Sequence, residues 1–252
     1  MLQIDFEKNT IDLWNNNDES IGELGKELNF ALRQNYPFIK CSGIIPGSGE
    51  VPLDVVIDTG AGHALSLDIT SIDRFSLPEN NIECKIGKGA IGDIKGHVGR
   101  LSTIKMADYS FSNVVTTFSD GSLAKGFVQC NGNLGIELLK RFLVTFDYKN
   151  SRIYLKPNSY LGDPFTFNTA GFQFQKSDGG NFIVNYIIKN SPAEEAGLKL
   201  KDLVTEINGG PANLISANTL DKMIKQESTS LKLVVQRESQ FLTFNIKLRK
   251  LI

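Results

Sequence analysis

The stretch "VVIDTGAGHALSL", residues 55 to 67, sets one charged side chain, Asp58, between an apolar run and a turn made of Thr59, Gly60, Ala61 and Gly62. An unpaired carboxylate at the end of a buried strand is costly, so a chain that puts one there has a use for it. The runs on either side read as strands, and Gly60 permits a tight turn with unusual backbone angles. Strand, turn and strand around a lone carboxylate set the fold class as mostly β.

Outward from this stretch the pattern stays β. From Phe38 to Leu155, the runs "FIKCSGII", "VPLDVVID", "VGRLSTIKMADYSF", "NVVTTF", "LVTFDY" and "RIYLKP" are separated by Gly, Asn, Asp and Pro turns. Only "IELLKRF", residues 136 to 142, has helical spacing, with Leu138, Leu139 and Phe142 near one face. Residues 86 to 99, "IGKGAIGDIKGHVG", form a glycine-rich stretch that reads by itself as a mobile loop and, in the resemblance given below, as a flexible β-hairpin.

At 252 residues the chain is long enough for one large domain or two ordinary ones. After "KPNSYLGDPFTFN" the character changes. Strands "FIVNYII", "LKLVVQR" and "LTFNIKLRK" mix with helical segments at "SPAEEAGL" and "ANTLDKMIKQ", so a boundary is expected near residue 160. Residues 1 to 13, "MLQIDFEKNTIDL", alternate apolar and polar positions about a turn at Lys8 and Asn9, which predicts a hairpin. With one gap, residues 4 to 13 share an apolar-Asp-aromatic start, a Lys-Asn turn and an Ile-x-Leu finish with "FDYKNSRIYL", residues 146 to 155. Two such hairpins point to an internal repeat whose first copy keeps only its last hairpin. The polar "NNNDESIGELGKEL" between them reads as a connector ending in a short helical turn.

Charge and composition exclude much. Lys plus Arg at 27 against Asp plus Glu at 28 gives a net charge of -1, so no global field draws the chain to nucleic acid or anionic lipid. No apolar run reaches the length of a membrane span, and the first residues lack the basic and apolar regions of a signal peptide. Cys41, Cys84 and Cys130 are scattered, which suits neither a disulfide framework nor a zinc site, and no metal or cofactor is expected. The two histidines, His63 and His97, come without a G-x-S-x-G elbow or an H-E-x-x-H pair. His63, five residues after Asp58, reads either as a group that tunes that carboxylate or as a turn-packing or solvent-facing residue, and His97, in the glycine-rich stretch, either as a ligand contact or as an exposed loop histidine. Carboxylate chemistry is what remains.

A strand, Asp-Thr-Gly, a small residue and a further apolar segment are what half of an aspartic protease site requires. Two such halves share a proton, so that one carboxyl acts as acid while the other, as base, activates a water against the scissile carbonyl. Together with the glycine-rich hairpin and Leu134-Gly135 leading into a short helix, the Asp-Thr-Gly stretch makes residues 38 to 157 resemble the retropepsin-like aspartyl protease family. The resemblance implies an acid-protease β-barrel in which Asp58 is catalytic, Thr59 braces paired loops and Gly60 makes the turn. It further implies a flap carrying Gly89, Ile91, Gly92 and Ile94, and a Leu134-Gly135 element packed beneath the active loop. Asn133 stands where that family often has a bulky apolar residue.

A second resemblance lies further on. "NSPAEEAGLKLKDLVTEINGGP", residues 190 to 211, is similar to the S-P-A-x-x-A-G-L-x-x-G-D-x-I-x-x-I-N-G run of bacterial PDZ domains, with Lys201 where they usually have Gly. "TAGFQF", residues 169 to 174, matches the loop whose amides receive a peptide, which implies a groove along Gly171, Phe172 and Gln173. The expected organisation is the terminal hairpin and linker of a preceding retropepsin-like half over 1–30, a retropepsin-like domain over 31–160 and an α+β PDZ domain over 161–252. The composite resembles a bacterial family of envelope-associated aspartyl proteases, which implies a periplasmic or envelope location with the export signal upstream.

No second D-[ST]-G is present, since Asp120-Gly121 and Asp178-Gly179 lack the hydroxyl residue. Three arrangements are open. Two copies can each supply Asp58 in a homodimer, a missing N-terminal half can supply the partner carboxylate, or the fold can serve binding without hydrolysis. The expected partner is a peptide or protein substrate, with no nucleic acid. The reading from another class is a non-catalytic peptide-binding scaffold that uses the PDZ groove.

Overall fold

The computed structural model describes residues 1–15, 22–89, 92–120 and 130–252. The chain divides into two compact units, Met1–Phe165 and Thr166–Ile252. Both are dominated by strands, as the alternating sequence requires.

The first unit begins with the expected hairpin, β1 (Leu2–Asp5) and β2 (Thr10–Leu13), followed by β3 (Lys26–Asn29) and β4 (Ala31–Arg33). Next come β5 (Tyr36–Ile45), β6 (Gly49–Ile57), β7 (Leu65–Asp68), β8 (Asn81–Gly89), β9 (Gly92–Met106), β10 (Tyr109–Ser119) and β11 (Gly132–Leu134). The unit closes with α1 (Ile136–Leu139), β12 (Phe142–Asp147) and β13 (Arg152–Pro157). Strands β5, β6, β11, β7, β10 and β9 pair in that order, and β9 pairs back onto β5, so the sheet closes into the expected barrel. In β6 the alternation is direct: Leu53, Val55 and Ile57 point into the core, while Asp54 faces outward and bonds Arg33 at 2.6 Å. Strands β8 and β9 form the glycine-rich hairpin with Gly89 opposite Gly92 and Gly87 opposite Ile94, and Ile91 lies outside the described residues.

Beneath the barrel lies a second sheet in the order β2-β1-β12-β13-β3. Here the structure departs from expectation: residues 26 to 29 form a strand against β13 and not a helical turn, because Leu28 faces Ile153 on the buried side. Residues 1–30 therefore belong to the first unit. The helix at 136 to 142 is also shorter than its spacing suggests, since Phe142 opens β12 and is fully buried. The division at Phe165 falls beyond residue 160 for a clear reason. The buried Arg141 guanidinium donates to the carbonyls of Tyr160, Leu161 and Asp163 and stacks on Phe165 at 3.8 Å, which ties that segment to the first core.

The second unit has β14 (Phe172–Lys176), β15 (Phe182–Ile187), α2 (Pro192–Glu195), β16 (Leu203–Ile207), β17 (Gly210–Pro211), α3 (Ala217–Met223), β18 (Ser230–Arg237) and β19 (Gln240–Lys247). Its sheet runs β14-β15-β16-β18-β19, with β14 at one edge. Ser191 and Ser216 cap the two helices by accepting from Glu194 and Thr219 amides, and Pro192 takes the first helical turn of α2. Asp202 is buried and held by both nitrogens of an Arg237 fork at 2.7 Å. Lys201 sits at φ 70, a left-handed position at which the Gly of related runs costs nothing.

Candidate active site

Asp58 directly follows β6, and its amide donates to the carbonyl of Leu134 at 3.0 Å, the last bond of the parallel pairing with β11. The loop that follows is fastened to the β11–α1 turn. Gly135 donates to Ala64, Ile136 to Ala61 and Glu137 to His63. A side chain at Gly135 would meet the His63 carbonyl oxygen at 2.2 Å and that of Ala61 at 2.7 Å, so only glycine lets the loop lie this close. Leu134 and Gly135 are thus where they were expected, beneath the Asp-Thr-Gly loop.

Asp58 itself is half-buried, with Thr59 and Gly60 exposed beside it. Its Oδ1 accepts from the Gly60 amide at 2.9 Å, and its Oδ2 accepts from Asn133 Nδ2 at 3.2 Å. Asn133 Oδ1 in turn meets His63 Nε2 at 2.8 Å. His63 is therefore neither a solvent-facing residue nor simple turn packing. Burial pushes its imidazole below the ordinary histidine value, against the opposing pulls of Asn133 and Asp58. His97, expected in a loop, lies instead within β9 and bonds Asn81 through Nδ1 at 2.8 Å. Asp58 and Thr59 open onto a cavity of about 600 Å³ that also touches Ile4, Asn133, Phe146 and Tyr148, a size suited to a small peptide segment.

The floor of that cavity carries the internal repeat. Strand β1 pairs with β12 so that Leu2 faces Phe146, Gln3 faces Thr145 and Ile4 faces Val144. Matching Asp5 to Asp147 exchanges the first and third of these pairs and leaves the middle one in place, which is a local two-fold centred on the Gln3–Thr145 hydrogen bond of 3.0 Å. The turns agree in detail. Asp5 accepts from the Lys8 amide and Asp147 from that of Asn150, while Asn9 at φ 56 matches Ser151 at φ 55. The two Lys-Asn dipeptides do not coincide, because the structural match is free of gaps and sets Lys8 against Asn150. Across the sheet, Leu13, Leu2, Phe146, Ile153 and Leu28 form one apolar row. The barrel covers only part of this face: in that row Ile153 is 1% and Leu13 82% exposed, and in the neighbouring row Leu155 is 0% and Ile11 69% exposed.

In the second unit, Gly171 has φ +83, and a Cβ there would strike Ser191 at 2.1 Å. Edge strand β14 begins at Phe172, whose side chain is fully buried in the core, so the ring expected to line a groove is not available to one. Gln173 is half-buried at that edge. Asn168, which no motif marked, holds the loop: its Oδ1 accepts from the Ala170 and Gly171 amides at 3.1 and 2.7 Å, and its Nδ2 donates to the Phe172 carbonyl at 2.6 Å. Among the described residues no cluster of His, Cys, Asp or Glu could hold a metal ion, and no helix is long and apolar enough to cross a membrane.

Comparison with known proteins bears on the second unit most directly. Residues 169–248 match the PDZ domain family, so the α+β unit is a PDZ domain. A probable CtpA-like serine protease of Staphylococcus aureus is 35% identical over 89 residues, which is 34% of this chain and 17% of the relative. The match thus spans about a sixth of that relative's length. A PDZ domain protein from Parabacteroides distasonis is 23% identical with a TM-score of 0.30, over 33% of this chain and 20% of that one. A retropepsin-like aspartic protease from Rickettsia conorii is 19% identical with a TM-score of 0.38, over 52% of this chain and 88% of that one.

Proposed function

We propose that this chain is part of an aspartic endopeptidase in which Asp58 is one of two catalytic carboxylates and the PDZ domain binds peptide or substrate. The observation that carries this reading is the Asp58 carboxylate, held at both oxygens on a stapled glycine loop and open to a cavity of about 600 Å³. The name of the Staphylococcus aureus relative supports peptide hydrolysis in general terms. That match spans 17% of the relative, and the aspartic reading rests on the setting of Asp58 in this chain.

The second carboxylate comes from a second barrel across the local two-fold. Strand β13 receives β3 on its outer edge, whereas among the described residues β2 receives no strand on the corresponding edge. A barrel like that of residues 26–157, adding its own edge strand to β2, would cover Ile11 and Leu13 and bring its loop toward Asp58. One carboxyl then stays ionised and takes a proton from water, while the other protonates the carbonyl oxygen as the tetrahedral adduct forms. Thr59, exposed in this chain, braces the facing loop.

The test is cleavage of casein or a peptide library between about pH 4 and 8, with the mass in solution measured by light scattering. Asp58→Asn is expected to lower cleavage by about 10³-fold or more with an unchanged melting temperature. Undiminished cleavage by that variant sinks the aspartic mechanism. A strict monomer that never cleaves leaves either a partner barrel absent from this chain or the peptide-binding scaffold; restoring a second barrel decides between them, and under the scaffold reading substitutions at Gln173, not at Asp58, should abolish peptide capture.

A further inference from the structure

We infer that Asn133, with its amide held by His63, is a positioning residue that fixes the plane of the Asp58 carboxylate toward the cavity. The inference rests on the peptidase reading and adds a part that the Asp-Thr-Gly motif does not contain. Asp58 is clamped from two directions, at Oδ1 by its own loop through the Gly60 amide and at Oδ2 by a side chain 75 positions away. Asn133 sits mid-strand in β11, paired with Val56 on one side and Ser66 on the other, so its backbone cannot drift.

The chemistry of the three groups orders the chain of bonds. An ionised carboxylate only accepts, so Asn133 must turn its NH2 to Asp58 and its oxygen to His63. His63 must then carry a proton on Nε2. That N–H decides which end of the amide faces Asp58: without it, rotation about the terminal bond would set oxygen against oxygen and release the carboxylate. Displacements of about 1 Å at a reacting group cost about 10²-fold in rate.

Three variants of the full chain test this. Asn133→Leu and His63→Leu are expected to lower kcat by about 10- to 100-fold with KM unchanged. His63→Gln keeps a donor for Asn133 and should stay within about threefold of the parent chain. The second readout needs no turnover: in an isotope-labelled chain the Asn133 side-chain amide protons and the His63 Nε2 proton should exchange slowly, and His63→Leu should free the Asn133 protons. If Asp58→Asn is inactive while Asn133→Leu keeps its kcat, the positioning role fails and the peptidase reading stands. If Asp58→Asn still cleaves, the peptidase reading fails, and the role assigned to Asn133 fails with it. In a chain that cleaves nothing, exchange is decisive, and rapid exchange of both sets of protons overturns the clamp.

Discussion

The hairpins at residues 2 to 13 and 144 to 155 have the same turn, the same capping carboxylate and the same Ile-x-Leu outer strand, yet one is covered and the other bare. The shared features are local: an aspartate that accepts the amide three residues on, and a left-handed residue at the corner. The difference is not local. Whether Ile-x-Leu is buried depends on what packs across the sheet, and the described barrel lies over only one end of the apolar row. The two hairpins thus share a turn and differ in what lies over their outer strands.

The largest expected effect breaks the comparison directly. Leu155→Ala should cost about 2–5 kcal/mol in urea unfolding, whereas Leu13→Ala should cost under about 0.5 kcal/mol in an uncovered chain. A Leu13→Ala cost close to that of Leu155→Ala would mean that β2 is covered in solution, and light scattering would then reveal the assembly. A smaller effect sharpens the local half of the comparison. Asp5→Ala and Asp147→Ala should each cost about 1 kcal/mol, and nearly equally, because each removes donors' acceptors within its own turn; a large inequality would show that the turns are not equivalent.

The smallest effect is in pH. Burial pushes the Asp5 carboxyl up, but the Lys8 and Glu7 amides and the Lys8 ammonium outweigh it and hold the group below the usual 3.8. A folded value below the unfolded one means that this stability is complete above about pH 4 and is lost as pH falls through the folded value. Asp5→Asn should therefore narrow its stability gap to the parent chain on acidification, as followed by thermal unfolding at successive pH values. An unchanged gap down to about pH 2 would remove Asp5 from the acid response.

Much of the fold was legible, and the failures are instructive. Strand alternation placed β5, β6, β12 and β13, and Ser-Pro gave the start of α2, because period and capping act over a few residues. Lys26–Asn29 misled because its strand identity comes from pairing with β13, more than a hundred positions away. Phe172 misled in another way: expected along a groove, its ring turned inward to the PDZ core. The boundary expected near residue 160 lies after Phe165 in the structure, where Arg141 reaches forward to carbonyls that no periodicity marks.

By itself the sequence determined the strands, the glycine turns, the carboxylate at a strand end and the likeness of the two hairpins. Each depends on neighbours a few residues apart, where sterics and hydrogen-bond reach are set by the backbone. Only the tertiary structure decided that β9 returns to β5 to close the barrel, that Asn133 and His63 stand behind Asp58, and that one Ile-x-Leu pair is covered and the other exposed. Those outcomes depend on contacts between residues distant in the chain, such as the 75 positions between Asp58 and Asn133, and packing alone brings such residues together.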